Sequence, residues 1–490
     1  MVKEEQIVNK QAGLLMPVAS LPNRHGIGDF GPETIAFLKA LKKAGFSLWQ
    51  ILPLNPIGYG HSPYQPFSSL AMDEMYLSLD EIIKMGLLSK VPSYRAKTKH
   101  ISYEKVKAFK RQYLKRAYYN AINQDATFVG RLRKKMAKYY DYALFMAFKK
   151  ANNDKPWHLW NEKEKNWINN CGIDISRYDD EINYHLFVQD LLIKQWHKLK
   201  KTAHRLGIKI IGDLPFYVGH DSVDCYTNRD YFYLDEAGLP KLISGVGPDY
   251  FSKTGQRWGN PIYNFEKLKE EHYRFLIERI LDCGQIYDYI RLDHFRAFDT
   301  YYVINGNEET AEFGKWTLGP AYSFFDELLT VFEGERIIAE DLGDIRPEVL
   351  TLRDHYRFPG MNVLQFEILS GKEEVVNPHN VYYIGTHDND TLKGWYLKLT
   401  PQERQKLRAF MRLQGYKGAI LDTLIKYALN RPHRLVVLYL GDLLKLDNKA
   451  RINKPGIIDD INWTYRLQSL CSFIEKEKKL RQLIKESQRL

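Results

Sequence analysis

Four apolar runs in this chain stop at a carboxylate. They read Ile-Ile-Gly-Asp213, Ile-Arg-Leu-Asp293-His, Ile-Ile-Ala-Glu340-Asp and Ile-Gly-Thr-His387-Asp388. A buried parallel strand reads as a continuous apolar stretch. A carboxylate just past the C-terminal end of such a strand stands where barrel proteins keep their chemistry. One such segment would mean little. Four of them, at helix-length intervals, predict a pocket lined with acids.

The rest of the chain fits that frame. Apolar runs at 13–17, 48–52, 208–212, 289–292, 336–339, 362–366, 382–385 and 435–440 are expected as strands, and eight is a number that closes a barrel. Helical patterns lie between them, as a parallel α/β fold requires. The pattern at 32–44 has Pro in its first turn and stops at Gly45, the preferred start and stop signals. A second, 265–283, carries Phe275, Leu276 and Ile280 on one face and ends at Gly284. Two intervals are too long for simple crossovers. The Tyr- and Lys-rich stretch 75–182 is expected as a helical insertion after the second strand. The Gly-, Pro- and Tyr-rich stretch 214–264 is expected as loops over the barrel mouth. The expectation is one catalytic (β/α)8 barrel over 1–490. An open doubly wound sheet would carry a Gly-rich phosphate loop after its first strand, and Val18-Ala-Ser-Leu-Pro-Asn-Arg-His25-Gly-Ile-Gly28 is not one.

Charge adds less than its size suggests. The net +11 is concentrated in 97–150, where 15 Lys and Arg face Glu104, Asp125 and Asp141. Arg131-Leu-Arg133-Lys134-Lys135 within it resembles a short polyanion-binding patch, although such a run is more often a solvated helix face. Neither nucleic acid nor a membrane is expected as a partner. Cysteines at 171, 225, 283 and 471 form no closely spaced pair and read as isolated thiols of a reducing compartment. The start, Met-Val-Lys-Glu-Glu-Gln, lacks an apolar signal core. A cytoplasmic protein is expected, with a monomer as the default.

The acids divide by environment. Arg291 is two residues before Asp293, and positions i and i+2 of a strand share a face. Arg291 is therefore expected to lower the pKa of Asp293 and keep it ionised, as a nucleophile must be. Glu340 follows an apolar run and is expected to hold its proton as a general acid, with Asp341 as a competing candidate. His387 and Asp388 would stabilise positive charge in the transition state, although Asp388-Asn-Asp390-Thr391 also reads as a helix cap. Two carboxylates roughly 5 Å apart are what a retaining glycosidase needs. No His cluster supports a metal at His387 and Asp388, and no cofactor is expected.

Several segments in order carry a family resemblance: His61-Ser-Pro-Tyr64-Gln65, Gly212-Asp-Leu-Pro-Phe-Tyr-Val218, Gly247-Pro-Asp249-Tyr-Phe, Gly255-Gln-Arg-Trp258-Gly-Asn-Pro-Ile-Tyr263, Arg291-Leu-Asp-His-Phe-Arg296, Ala339-Glu-Asp-Leu-Gly343, Gly385-Thr-His-Asp-Asn-Asp390 and Asn462-Trp463. Together they resemble the amylomaltase (disproportionating enzyme) family of 4-α-glucanotransferases, a branch of the α-amylase clan. The resemblance implies a retaining mechanism with Asp293 as nucleophile, Glu340 as acid/base and Asp388 as transition-state stabiliser. It implies that Asp213, Arg291 and His387 contact the glucose at the cleavage site, that Tyr64 stacks on it, and that Trp258 faces the acceptor. His294 and Asn462 join the implied substrate contacts, and Asp249 would sit on a lid loop at 245–249. The implied partners are maltooligosaccharides and starch- or glycogen-derived glucans. Arg451-Ile-Asn453-Lys-Pro455-Gly456 is similar to the family pattern, but Ile457 departs from the small polar residue expected there. An α-glucan hydrolase of the same clan and a non-catalytic glucan- or polyanion-binding protein are the alternatives. Long loops over the mouth would favour transfer, because an acceptor sugar must react before water does.

Overall fold

The computed structural model describes residues 10–94, 98–170, 172–248, 253–370, 376–457 and 459–490. Asp249 and Cys171 lie outside the described residues. In chain order the strands are β1 (Gln11–Leu15), β2 (Leu48–Gln50), β3 (Lys209–Leu214), β4 (Leu242–Val246), β5 (Gln256–Pro261), β6 (Tyr289–Leu292), β7 (Thr300–Asn305), β8 (Lys315–Leu318), β9 (Ile337–Ala339), β10 (Met361–Val363), β11 (Val381–Tyr383) and β12 (Leu435–Tyr439). Each of the eight apolar runs overlaps a strand of one parallel sheet, ordered β10-β11-β12-β1-β2-β3-β6-β9. These strands are apolar on both faces because the interior and the outer helices both cover them.

The two ends of that sheet meet. The Ala339 amide donates to the Pro359 carbonyl at 2.8 Å, joining β9 to the approach of β10. Asp341 fastens the same seam: its Oδ1 accepts from the Met361 amide at 2.7 Å, and its Oδ2 pairs with Arg353 of the helix Pro347–His355. Both lone-pair sets of Asp341 are thus committed to closing the barrel. The competing candidate beside Glu340 is a structural carboxylate.

Gly212 shows how local sequence serves the rim. A Cβ at this position would lie 2.0 Å from the Tyr287 ring. Only glycine lets Tyr287 lie against the backbone of β3, one residue before Asp213.

Two expectations change. The helix expected over 265–283 is two helices, Phe265–Glu270 and Arg274–Ile286. His272 and Tyr273 between them have φ of 52° and 53°, a left-handed conformation that α-helices do not continue through. The second helix also runs through Gly284 to Ile286. The interval 214–264, expected as loops, contributes β4 and β5 to an antiparallel sheet ordered β5-β4-β7-β8. This sheet leaves the barrel through β7, directly after the segment that follows Asp293, and so stands at the mouth.

The basic segment keeps its expected solvated face and adds ion pairs to it. Between β2 and β3 the helices Tyr103–Gln124, Phe128–Lys135 and Tyr140–Ala151 pack on the 27-residue helix Asp179–Arg205. Its N-terminal half is acidic, and the cations spend themselves there. Lys115 and Lys150 meet Glu181, Arg133 meets Asp179 at 2.6 Å, and Lys135 meets Asp190 at 2.6 Å. Burial pushes Glu181 upward, but His185, Lys115 and Lys150 hold it well below the usual carboxylate range. Arg131 pairs with Asp125 and Lys138 with Asp282, while Lys134 remains exposed. Arg131, Lys134, Lys135 and Lys138 are all exposed, so this is the expected solvated helix face, ion-paired along its inner edge to the acidic helix. Deepest of all, Lys110 and Asp29 pair at 3.3 Å with neither side chain exposed.

Candidate active site

Asp213, Arg291, Asp293 and Glu340 come together because β3, β6 and β9 are neighbours in register. Asp213 and Arg291 are direct partners across the β3–β6 pair, and directly opposite side chains interact. Arg291 Nη1 donates to Asp213 Oδ1 at 2.8 Å and Oδ2 at 2.9 Å, and to Asp293 Oδ1 at 2.8 Å. The parallel ladder extends one rung beyond the strands. The Asp293 amide donates to the Leu214 carbonyl, and the Glu340 amide to the Leu292 carbonyl, both at 3.1 Å. Each carboxylate therefore starts from a fixed backbone.

His294 links the two acids. It takes φ 52° and ψ 49°, a left-handed conformation uncommon for a residue with a Cβ. In that conformation its amide donates to Glu340 Oε2 at 2.8 Å. The residue after Asp293 thus holds the carboxylate of Glu340. The Leu342 amide meets Oε1 at 3.3 Å. The His294 ring is buried and edge-on to Trp258, with centroids 5.0 Å apart and planes at 85°. Burial lowers its pKa to about 4, so it is neutral. Trp258 is half-buried, and its carbonyl accepts from Gln65 Nε2 at 2.7 Å. β5 therefore brings Trp258 to the Glu340 side of the site.

On the opposite side, the Tyr64 hydroxyl donates to Asp213 Oδ2 at 2.6 Å and lies 2.8 Å from His387 Nε2. A phenol has one proton to give. With that proton on Asp213, His387 must donate from Nε2. Burial holds His387 below its ordinary pKa, which assigns it as the neutral Nε2–H tautomer. The Tyr64 ring stacks beside His387 at 5.4 Å, and Trp463 leans on both, at 5.6 Å and 6.0 Å.

Asp388 completes the arrangement from the loop after β11. Its Oδ2 lies 3.5 Å from His387 Nε2, and its Oδ1 accepts from Asn453 Nδ2 at 2.6 Å. The helix-cap use expected for this segment falls to its neighbour: Thr391, not Asp388, caps the helix Leu392–Lys398.

Asn462 sits elsewhere. Its amide group bonds the backbone of Lys454 and Ile457, so it braces the 453–457 turn. The neighbouring Trp463, with φ 67°, is the residue that reaches the site. Sequence reasoning passed over Trp463, Arg451 and Asn453 as site residues, although all three stand in the quoted segments. Their partners lie more than 60 positions away, and nothing local marks them. Asp249 cannot be placed among these groups, as it lies outside the described residues.

The electrostatics part the two acids. Burial is the largest influence on both. It raises Asp293 to about 7 against the pull of Arg291, with Asp213 and Asp388 adding to the rise. The expected lowering by Arg291 is present but outweighed. Glu340 rises further, to about 8, through burial, again against Arg291 and with Asp293 adding. Arg291 touches Asp293 and not Glu340, so Asp293 gives up its proton first. A site with one acid ionised and its neighbour still protonated suits cleavage between two carboxylates.

The sequence matches the family described as 4-alpha-glucanotransferase over residues 16–472. The 4-alpha-glucanotransferase of Aquifex aeolicus is 36% identical over 483 residues, covering 96% of this chain and 98% of that protein. The Synechocystis enzyme of the same name is 39% identical over 478 residues, covering 93% of each. An amylomaltase from Streptococcus agalactiae, solved in complex with acarbose, superposes with a TM-score of 0.92 at 30% identity, covering 98% of this chain and 99% of that one. The chain belongs to the 4-alpha-glucanotransferase family.

Proposed function

We propose that the protein moves α-1,4-glucan segments from a donor to the 4-hydroxyl of an acceptor glucan or glucose by a retaining double displacement. Maltooligosaccharides and starch- or glycogen-derived glucans are the donors. In the first step Asp293 attacks the anomeric carbon. The bond to the departing glucan breaks as Glu340 gives its proton to the glycosidic oxygen. In the second, Glu340 takes the proton of the acceptor 4-hydroxyl. The new oxygen–carbon bond forms and Asp293 leaves. Two inversions retain the configuration.

The other side chains support the charge that develops. Asp388 presents a carboxylate to the oxocarbenium-like carbon, backed by the buried Asp213–Arg291 pair and by His387, which Tyr64 ties to that pair. Tyr64 and Trp463 offer aromatic surface on one side, Trp258 on the acceptor side. Covering the acceptor keeps water from competing. In support, a Cβ on Gly456 would come within 3.4 Å of the Gln256 side chain, so the loop after Asn453 reaches the strand that carries Trp258. Cys225, Cys283 and Cys471 are free thiols, which supports a reducing, cytoplasmic setting. No helix among the described residues is long and apolar enough to cross a membrane.

The observation that carries this reading is the link from Asp293 through the His294 amide to Glu340. The test is incubation with maltotriose. A ladder of longer maltooligosaccharides plus glucose is expected. Maltose and glucose with no longer product would contradict transfer and favour hydrolysis.

A further inference from the structure

The loop 451–453 has no part in the two-carboxylate chemistry, yet it contacts the third acid at two points and that acid's neighbours at two more. Arg451 Nη2 donates to the Asp388 carbonyl at 2.5 Å, and its Nη1 to Asp390 Oδ1 at 2.5 Å. Its Nε donates to the Asn453 carbonyl at 2.6 Å. The Asn453 amide returns to the same loop, donating to the His387 carbonyl at 3.1 Å. Two backbone segments 65 positions apart are thereby laced together around His387 and Asp388. In the middle of the lacing, Asn453 Nδ2 donates to Asp388 Oδ1 at 2.6 Å.

That last bond has a chemical consequence. Asp388 is substantially exposed, with 40% of its side-chain surface open. A carboxylate on a loop with that much freedom would rotate and share its charge between two oxygens. A neutral amide donor on one oxygen fixes the rotation. It also leaves the other oxygen, on the His387 side, unspent. We infer that Asn453 is a positioning residue for Asp388: it holds Oδ1 so that Oδ2 is the oxygen offered to the sugar, while Arg451 anchors the loop behind it. This rests on Asp388 acting at the reacting glucose, as proposed above.

An amide is required in this role. An aspartate at 453 would set two carboxylates against each other, and only a shared proton would rebuild the contact. The charged and titratable groups facing Asp388 are His387 beside it, Tyr64 stacked on His387, Arg451 on the facing loop, Asp390 held by Arg451 and Lys398, and Asp293 across the site. The variants leave all of these in place.

The experiment measures kcat and KM for maltotriose disproportionation across pH for Asn453→Ala and Asn453→Asp. For Asn453→Ala, kcat is expected to fall roughly ten- to a hundredfold with KM little changed, as for loss of a hydrogen bond to a charged group. For Asn453→Asp, activity relative to the parent should be lowest at high pH and climb as pH falls, because the shared proton restores the bond. The near-isosteric aspartate carries the test if the alanine variant does not fold. A parent-like kcat in Asn453→Ala, a loss confined to KM, or a pH-independent ratio for Asn453→Asp would overturn the inference. Asp388→Asn separates the two levels. If it is inactive while the Asn453 variants behave as the parent, only this inference fails. If it is fully active, the proposed role of Asp388 fails with it.

Discussion

Lys110 and Arg291 are both buried cations facing aspartates, and only one of them belongs to the proposed reaction. Lys110 donates to Asp29 at 3.3 Å and to the Met75 carbonyl at 2.6 Å, and the pair is sealed from solvent. Arg291 divides itself between two aspartates. Asp213 is as sealed as Asp29 and has its second oxygen taken by Tyr64, but Asp293 keeps 26% of its side chain open. Burial raises both Asp29 and Asp293 to about 7. A shifted pKa therefore does not distinguish them. What does is an oxygen that is perturbed, unspent and reachable. Asp442, also raised to about 7 by burial, is 2% exposed and falls on the structural side.

That contrast can be broken at several points. Asp293→Asn should lower kcat on the order of 10⁴-fold or more, as loss of a covalent nucleophile does, while maltooligosaccharide binding measured by calorimetry persists. Lys110→Met should leave kcat unchanged. If both variants lose turnover alike, accessibility is the wrong criterion. Glu340→Gln comes next, with a loss of about 10²- to 10⁴-fold from removing the general acid. Much of that loss should vanish in the first step when the donor is a glycosyl fluoride, whose leaving group needs no proton.

Stability should show the reverse pattern. Lys110→Met strands Asp29 without its cation, and breaking a buried pair typically costs about 3–5 kcal/mol. Urea unfolding would read that loss. Asp29→Leu added to Lys110→Met should recover most of it, because an apolar pair of similar volume has no charge to strand. Activity should rise as Asp293 loses its proton and fall as Glu340 loses its own, giving a bell centred between about 7 and 8. Lys110 variants should not move that bell. The smallest effect belongs to the outer edge of the basic seam. Lys135 is 58% exposed, and Lys135→Ala should cost under about 1 kcal/mol, as solvent-screened pairs do.

The barrel was legible in the sequence because parallel strands buried on both faces cannot hide their composition. The small sheet at the mouth was not. Gln256–Pro261 reads Gln-Arg-Trp-Gly-Asn-Pro and Lys315–Leu318 is mostly exposed, so neither shows apolar alternation. The break at His272 and Tyr273 carries no Gly or Pro to announce it. Among the acids, Asp293 and Glu340 were proposed from strand ends, the position of Arg291 and the family resemblance, but Asp341 was separated from Glu340 only by its bonds to Met361 and Arg353. The ion pairs of the basic segment were hidden for a related reason. Its partners Asp179, Glu181 and Asp190 lie on a later helix, and charge counted along a window cannot see across the fold. The same distance hid Asn453 from Asp388.

The most direct test of the account is to trap the first step. Glu340→Gln incubated with an α-maltosyl fluoride should form the glycosyl-enzyme and then stall, because no base remains to activate the acceptor. Digestion and mass spectrometry should place the added maltosyl group on the peptide containing Asp293, at that side chain. An adduct on Asp213 or Asp388, or steady turnover with no adduct on Asp293, would contradict it.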